Sequence, residues 1–164
     1  MEDAEGENNL LFSGESYLSL DDKGRLAIPA RFRDGLRDSC ASQLMSVIDP
    51  ASSAQRLLLY PLDEWTLVVE QLKGMPNADP VANRFKSLFV GRSVPVEVDK
   101  QGRILLPPKH REHARLDSRV VLVGQITKFE IWDEQAWNDY CGTNAEELDL
   151  NGMGEGSPLR TLSY

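Results

Sequence analysis

The sequence predicts a β-rich α+β fold made of two tandem copies of one small hairpin module, and three observations predict it. Leu18–Arg33 (LSLDDKGRLAIPARFR) and Val96–Arg111 (VEVDKQGRILLPPKHR) align without a gap at a shift of 78 residues, and self-similarity of this kind marks a repeat architecture. Each copy sets short β-rich runs on either side of a glycine turn. Each copy then continues into a short helix announced by proline. A chain of 164 residues suits one ordinary domain, or two very small ones sharing a core.

In the first copy, Tyr17, Leu18 and Leu20 precede Asp21-Asp22-Lys23-Gly24, and Leu26 and Ile28 follow. Strand, turn and strand are expected to form a hairpin, with Gly24 supplying the positive φ. Pro29 is placed at the first helical position of a helix over Ala30 to Leu36, where its missing N–H is no loss. Leu44 to Ile48 and Arg56 to Tyr60 read as two more strands. Leu62, Trp65, Val69 and Leu72 then put one apolar stripe on a helix started by Pro61. After the break Lys73-Gly74-Met75-Pro76-Asn77, the residues Val81, Phe85 and Leu88 mark a linker helix. The second copy repeats the scheme through Gly102, Pro107, Arg119 to Val123 and Lys128 to Trp132, with a shorter terminal pattern of Ile131, Trp132, Ala136, Trp137 and Tyr140. LLLYPLDEW and FEIWDEQAW match at a shift of 72, so the six missing residues are assigned to connecting loops.

This reading divides the chain into an acidic extension (1–11), a first repeat (12–75), a linker helix (76–93), a second repeat (94–141) and an acidic tail (142–164). Extension and tail hold few large apolar residues and read as disordered. A four-stranded module of roughly 70 residues has little core of its own, so the two copies are expected to bury their sheets together.

The net charge of -8 argues at first against a nucleic-acid partner. Its distribution reverses the argument. Residues 1–15 carry five acids and no base, and residues 129–164 carry eight acids against Arg160. Residues 16–128 therefore hold 17 bases and 13 acids. No apolar run approaches the roughly 18 residues of a membrane span, and the acidic start does not resemble a secretory signal, so a cytoplasmic location is expected. Cys40 and Cys141 stand too far apart for a zinc or redox motif and read as reduced thiols. The sequence shows no nucleophile elbow, P-loop or GxGxxG pattern, so neither an enzyme nor a cofactor is expected. His110 and His113 stand at i, i+3 without a third ligand, and Phe32 and Gly35 replace them in the first copy; a surface or interface role is expected. Trp65, Trp132 and Trp137 sit beside apolar periodic positions and read as core.

The chemistry concentrates at the turns. Asp21–Arg25 holds two acids and two bases, and Asp99–Arg103 one acid and two bases. Each Asp is expected to cap its turn, leaving Lys23 and Arg25, with Lys100 and Arg103, to reach phosphates or guanine edges in a groove. Arg31, Arg33 and Arg37 on the first short helix, with Lys109, Arg111 and Arg115 on the second, give basic surfaces that suit phosphate or a neighbouring subunit equally.

The pairing of DDKGRLAIPARFR with DKQGRILLPPKHR, each followed by a hairpin and a helix rich in Tyr or Trp, resembles the MraZ family. The likeness runs from Phe12-Ser13-Gly14-Glu15 to about Cys141. It implies an AbrB-type fold in which two swapped hairpin units interleave into one pseudo-symmetric β-structure. It also implies a ring-shaped homo-oligomer that regulates transcription, binding repeated elements in double-stranded DNA near cell-division and cell-wall genes and lying on the nucleoid. The resemblance places Lys23, Arg25, Arg103, Arg31, Arg33 and Lys100 at the DNA, with the first turn as the main reader. An antitoxin-like protein-interaction module and a ring scaffold with no DNA role are the alternatives.

Overall fold

The computed structural model describes residues 11–142 and 156–163. Its elements run β1 (Glu15–Ser19), β2 (Arg25–Ala27), α1 (Ala30–Cys40), β3 (Gln43–Ile48), β4 (Leu57–Pro61), α2 (Leu62–Lys73) and α3 (Pro80–Phe89). The second copy supplies β5 (Val94–Glu97), β6 (Arg103–Leu105), α4 (Pro108–His113), β7 (Arg119–Gln125), β8 (Lys128–Asp133) and α5 (Glu134–Gly142). The chain divides into two units, Met1–Glu134 and Gln135–Tyr164. In the second, Trp137 stacks on Tyr140 and Pro158–Thr161 form one 3-10 turn within the segment read as a disordered tail. Residues 1–10, 143–155 and 164, on which the remaining disorder readings fall, lie outside the described residues.

All strands but two join one antiparallel sheet in the order β1-β7-β8-β4-β3-β5, and β2 pairs with β6 in a separate ribbon. The hairpin expected at each glycine turn does not form. β1 and β2 meet only at the bridge Leu20↔Leu26; beyond the turn, β1 runs along β7 and β2 along β6, both from the other copy. Local pattern fixes a turn but not the partner of the strands it releases, and pairing with the other copy joins Leu18, Leu20, Leu26, Val120 and Ile104 in one core.

The swap is symmetric. Leu18 pairs with Val120 as Val96 pairs with Leu44. Leu26 meets Ile104 at the centre of the ribbon, and Leu58 meets Glu130 at the centre of the β4–β8 ladder. A pseudo-two-fold axis therefore passes through both pairs. Part of the length difference between the copies lies in a helix rather than a loop, since α1 has 11 residues and α4 has 6.

β4 is buried along its whole length because it is covered on both faces. Leu57 and Leu59 face the larger core with Leu26, Ile28, Ile104, Leu106, Phe129 and Ile131. Leu58 and Tyr60 face the smaller one, where Trp65 of α2 stacks on Phe89 of α3 at 5.3 Å. Phe12 seals an end of the larger core, its ring 4.2 Å from Phe129 and 5.6 Å from Phe32. Trp65 and Trp132 are buried, as their periodic neighbours imply. Val81, by contrast, is 79% exposed, and α3 packs through Phe85 and Phe89.

Three prolines sit one residue earlier than the first helical turn. Pro29, Pro61 and Pro107 are N-caps, at ψ near 140°. A proline φ suits extended backbone as well as helix, so each ends the preceding segment instead of opening the helix.

Candidate nucleic-acid interface

One carboxylate builds the turn between β1 and β2. Asp21 Oδ1 accepts the backbone N–H groups of Lys23 and Arg25, both at 2.9 Å, and Asp21 Oδ2 receives Arg25 Nε at 2.6 Å. The backbone closes with Gly24 N–H donating to Asp21 O, at a Gly24 φ of 86°. Chiefly through the Arg25 N–H, these donors hold the Asp21 carboxyl at about 2.

The second turn repeats the backbone circuit and not the side-chain one. Asp99 Oδ1 accepts from Gln101 N–H at 2.8 Å and Arg103 N–H at 2.9 Å. Its carboxyl also lies below the ordinary range, first through the Arg103 N–H, with a contribution from Arg25. Arg103 Nε, however, stands 3.7 Å from Asp99 Oδ2 and has no hydrogen-bond partner, while Nη2 turns to Gln101 Oε1.

The ribbon between the turns fixes a shared face. Residues paired across an antiparallel ladder point the same way, and neighbours along a strand alternate. Arg25 pairs with Leu105 and Ala27 with Arg103. These four therefore share the outer face, while Leu26 (0% exposed) and Ile104 (1%) seal the inner one.

Arginines from the two short helices brace the turns. A Cβ at Gly24 would lie 2.6 Å from Arg111 Nε, and one at Gly102 would lie 2.6 Å from Arg33 Cζ. Arg111 Nε donates to Leu106 O at 3.2 Å and Arg33 Nε to Ile28 O at 2.7 Å. Each copy thus lays a guanidinium over the other copy's turn glycine. The signal was present in the sequence as a repeated glycine and a repeated arginine four residues after the proline. What it lacked was the swap that brings them together.

The remaining basic residues separate. Lys23 and Lys100 are exposed on the turns. Arg25 is not free, as the sequence suggested, but gripped by Asp21. Arg31 Nη2 donates to Ser13 O at 3.3 Å and Ser16 Oγ at 3.2 Å, with its guanidinium 4.4 Å from the Phe32 ring centre. His110 is 2% exposed, not at the surface: its ring bonds Ser46 Oγ at 2.7 Å and Arg92 O at 2.8 Å. A carbonyl only accepts, so Nε2 carries the proton and Nδ1 receives the serine hydroxyl. Burial pushes His110 below its ordinary range, in keeping with a neutral ring.

Among the described residues there is no cluster of three or more metal-binding side chains, and no helix is long and apolar enough to cross a membrane. The chain is 46% identical over 128 residues to a protein of Pseudomonas aeruginosa (strain LESB58) named Transcriptional regulator MraZ, covering 78% of this chain and 83% of that protein. A protein of the same name from Psychromonas ingrahamii is 40% identical over 153 residues, covering 93% and 99%. The model of the family described as MraZ protein matches twice, over residues 11–88 and 89–151. Two successive matches, laid over two copies that exchange their strands, place this chain in the MraZ family.

Proposed function

We propose that this chain is a sequence-specific DNA-binding regulator of transcription, and not an enzyme, that reads DNA through the β2–β6 ribbon and its two flanking turns. The observation that carries the reading is the outer face of that ribbon, which sets Arg25 and Arg103 at symmetric positions over a sealed inner face. A two-stranded ribbon fits the major groove, where a guanidinium recognises guanine O6 and N7. Arg25 is assigned to base edges, with Arg103 in a lesser role. Lys23 and Lys100 are assigned to phosphates. Arg31 and Arg33 support the same surface, Arg33 mainly by bracing Gly102.

A single ribbon makes few contacts, so binding is assigned to a closed ring whose neighbouring subunits engage successive repeats in the promoter of a division and cell-wall gene cluster, on the nucleoid. The sheet ends in two unlike edges, β1 and the proline-bearing β5, and a contact between unlike edges propagates until it closes. Electrophoretic shift of the purified protein on its own promoter, beside fragments cut to one repeat, tests this. The expected result is a salt-sensitive shift that weakens steeply with one repeat. Equal binding to unrelated DNA, or none, overturns it. Light scattering should show a mass of many subunits; a monodisperse monomer or dimer overturns the ring.

A further inference from the structure

The first copy pairs one cation of its short helix with carboxylates, and the second leaves two of its cations outside any ion pair among the described residues. Arg37 on α1 pairs with Asp34 at 3.1 Å and Asp38 at 3.7 Å. Carrying the shift of 78 residues onward sets Glu112 against Asp34 and Arg115 against Arg37, with Arg115 and Leu116 just beyond the end of the shorter α4. Lys109 stands for Arg31, and His113 for Gly35. Leu116 offers no charge, and among the described residues neither Lys109 nor Arg115 belongs to an ion pair.

These cations converge. Arg92, Lys109, His113 and Arg115 line one open cavity of about 640 Å³, in which Glu112 is the one carboxylate among the lining residues. Ile48 and Gln55 complete the wall. Three permanent positive charges against one negative is an unusual local balance in a chain of net charge -8. The surroundings are also held in place. His110 ties α4 to Ser46 of β3 and to the Arg92 carbonyl, and Arg92 Nε donates to Leu88 O at 3.0 Å.

We propose that this cavity binds a small phosphorylated molecule carrying at least two negative charges. Guanidinium groups match phosphate oxygens in geometry as well as charge, and the volume falls in the range of small-molecule sites. Ile48 gives an apolar surface for the organic part, and Gln55 a donor and an acceptor to recognise it. Burial and the Arg92 charge hold His113 below its ordinary range, so its ring is neutral near pH 7 and the positive charge of the cavity comes from Arg92, Lys109 and Arg115.

Calorimetric titration of the full chain with inorganic pyrophosphate tests the site directly. Saturable binding, one per chain and weakened by salt, is the expected result. Lys109→Gln and Arg115→Gln should each weaken it about tenfold, the loss of one charge-assisted hydrogen bond. Arg37→Gln in the first copy should leave it unchanged. Circular dichroism melts verify folding, and Lys109→Gln, at an exposed position, carries the test if Arg115→Gln does not fold. No binding, equal binding by Lys109→Gln, or sulfate binding as tightly as pyrophosphate overturns the proposal. So does stoichiometric displacement of pyrophosphate by promoter DNA, which would assign the cavity to the nucleic-acid surface.

Discussion

Asp21 grips Arg25 through Nε at 2.6 Å, whereas Asp99 stands 3.7 Å from the same nitrogen of Arg103. The backbones of the two turns are alike: each aspartate accepts two N–H groups, and each glycine has a positive φ under a guanidinium from the other copy. The two turns share a scaffold and differ in how their arginine side chains are held. A guanidinium fixed through Nε keeps both Nη groups available in a set plane, and an oriented group loses less entropy on binding. Net charge favours the second turn; orientation favours the first.

The largest expected effect separates the turns outright. Arg25→Ala should weaken specific promoter binding at least about 100-fold, because each engaged subunit loses a contact worth roughly 1–3 kcal/mol. Arg103→Ala should cost several-fold less. Fluorescence anisotropy on the promoter fragment measures both, and a greater loss from Arg103→Ala inverts the assignment. The shared scaffold predicts equality instead: Gly24→Ala and Gly102→Ala should each destabilise by about 2 kcal/mol, through positive φ and the clash with the bracing guanidinium. Thermal melts that differ widely would show that one brace is dispensable.

Smaller effects sharpen the comparison. Lys23→Ala should reduce the salt slope of binding by about one, the mark of one lost phosphate contact, as read from titrations at several salt concentrations. The aspartates should also titrate apart. Asp21 has a folded value of about 2 against an ordinary 3.8, so its contribution to the turn is complete above 3.8 and is lost as pH falls toward 2. Asp99, without the Arg25-type grip, should protonate at higher pH than Asp21. Carboxyl resonances followed by NMR give both values, and a reversed order would remove the distinction between the turns.

The copies, their turns and most strand limits were legible because they depend on neighbours in sequence. Gly24 needs a positive φ whatever the strands do next, and Leu57 to Tyr60 are apolar because both faces are covered. The exchange of β1 and β2 was not legible in the local pattern, since the alternation of Tyr17, Leu18 and Leu20 would suit a partner in either copy. Only the family likeness pointed to it. The same limit hid the bracing role of Arg33 and Arg111, and made His110 read as a surface residue when Ser46, 64 positions away, supplies its partner. At the turns the sequence marked Asp21 as a cap, and the structure adds one bond: Asp21 engages the side chain of Arg25 as well as the backbone.

The pair at the centre of the β4–β8 ladder, Leu58 against Glu130, carries a consequence of joining both copies in one polypeptide. In a dimer of identical chains, a residue on the two-fold axis must face its own duplicate. A glutamate there would meet a second glutamate in a buried site, and two like charges at that distance would force one to take up a proton or the ladder to part. Covalent linkage removes that constraint. Glu130 instead faces a leucine and reaches Arg56 at 2.5 Å, while Lys128, which stands for Arg56 across the axis, lies over the Tyr60 ring at 5.7 Å. One chain can thereby seat a single glutamate, bonded to an arginine, at its centre of symmetry and make its two halves chemically different from the inside outward.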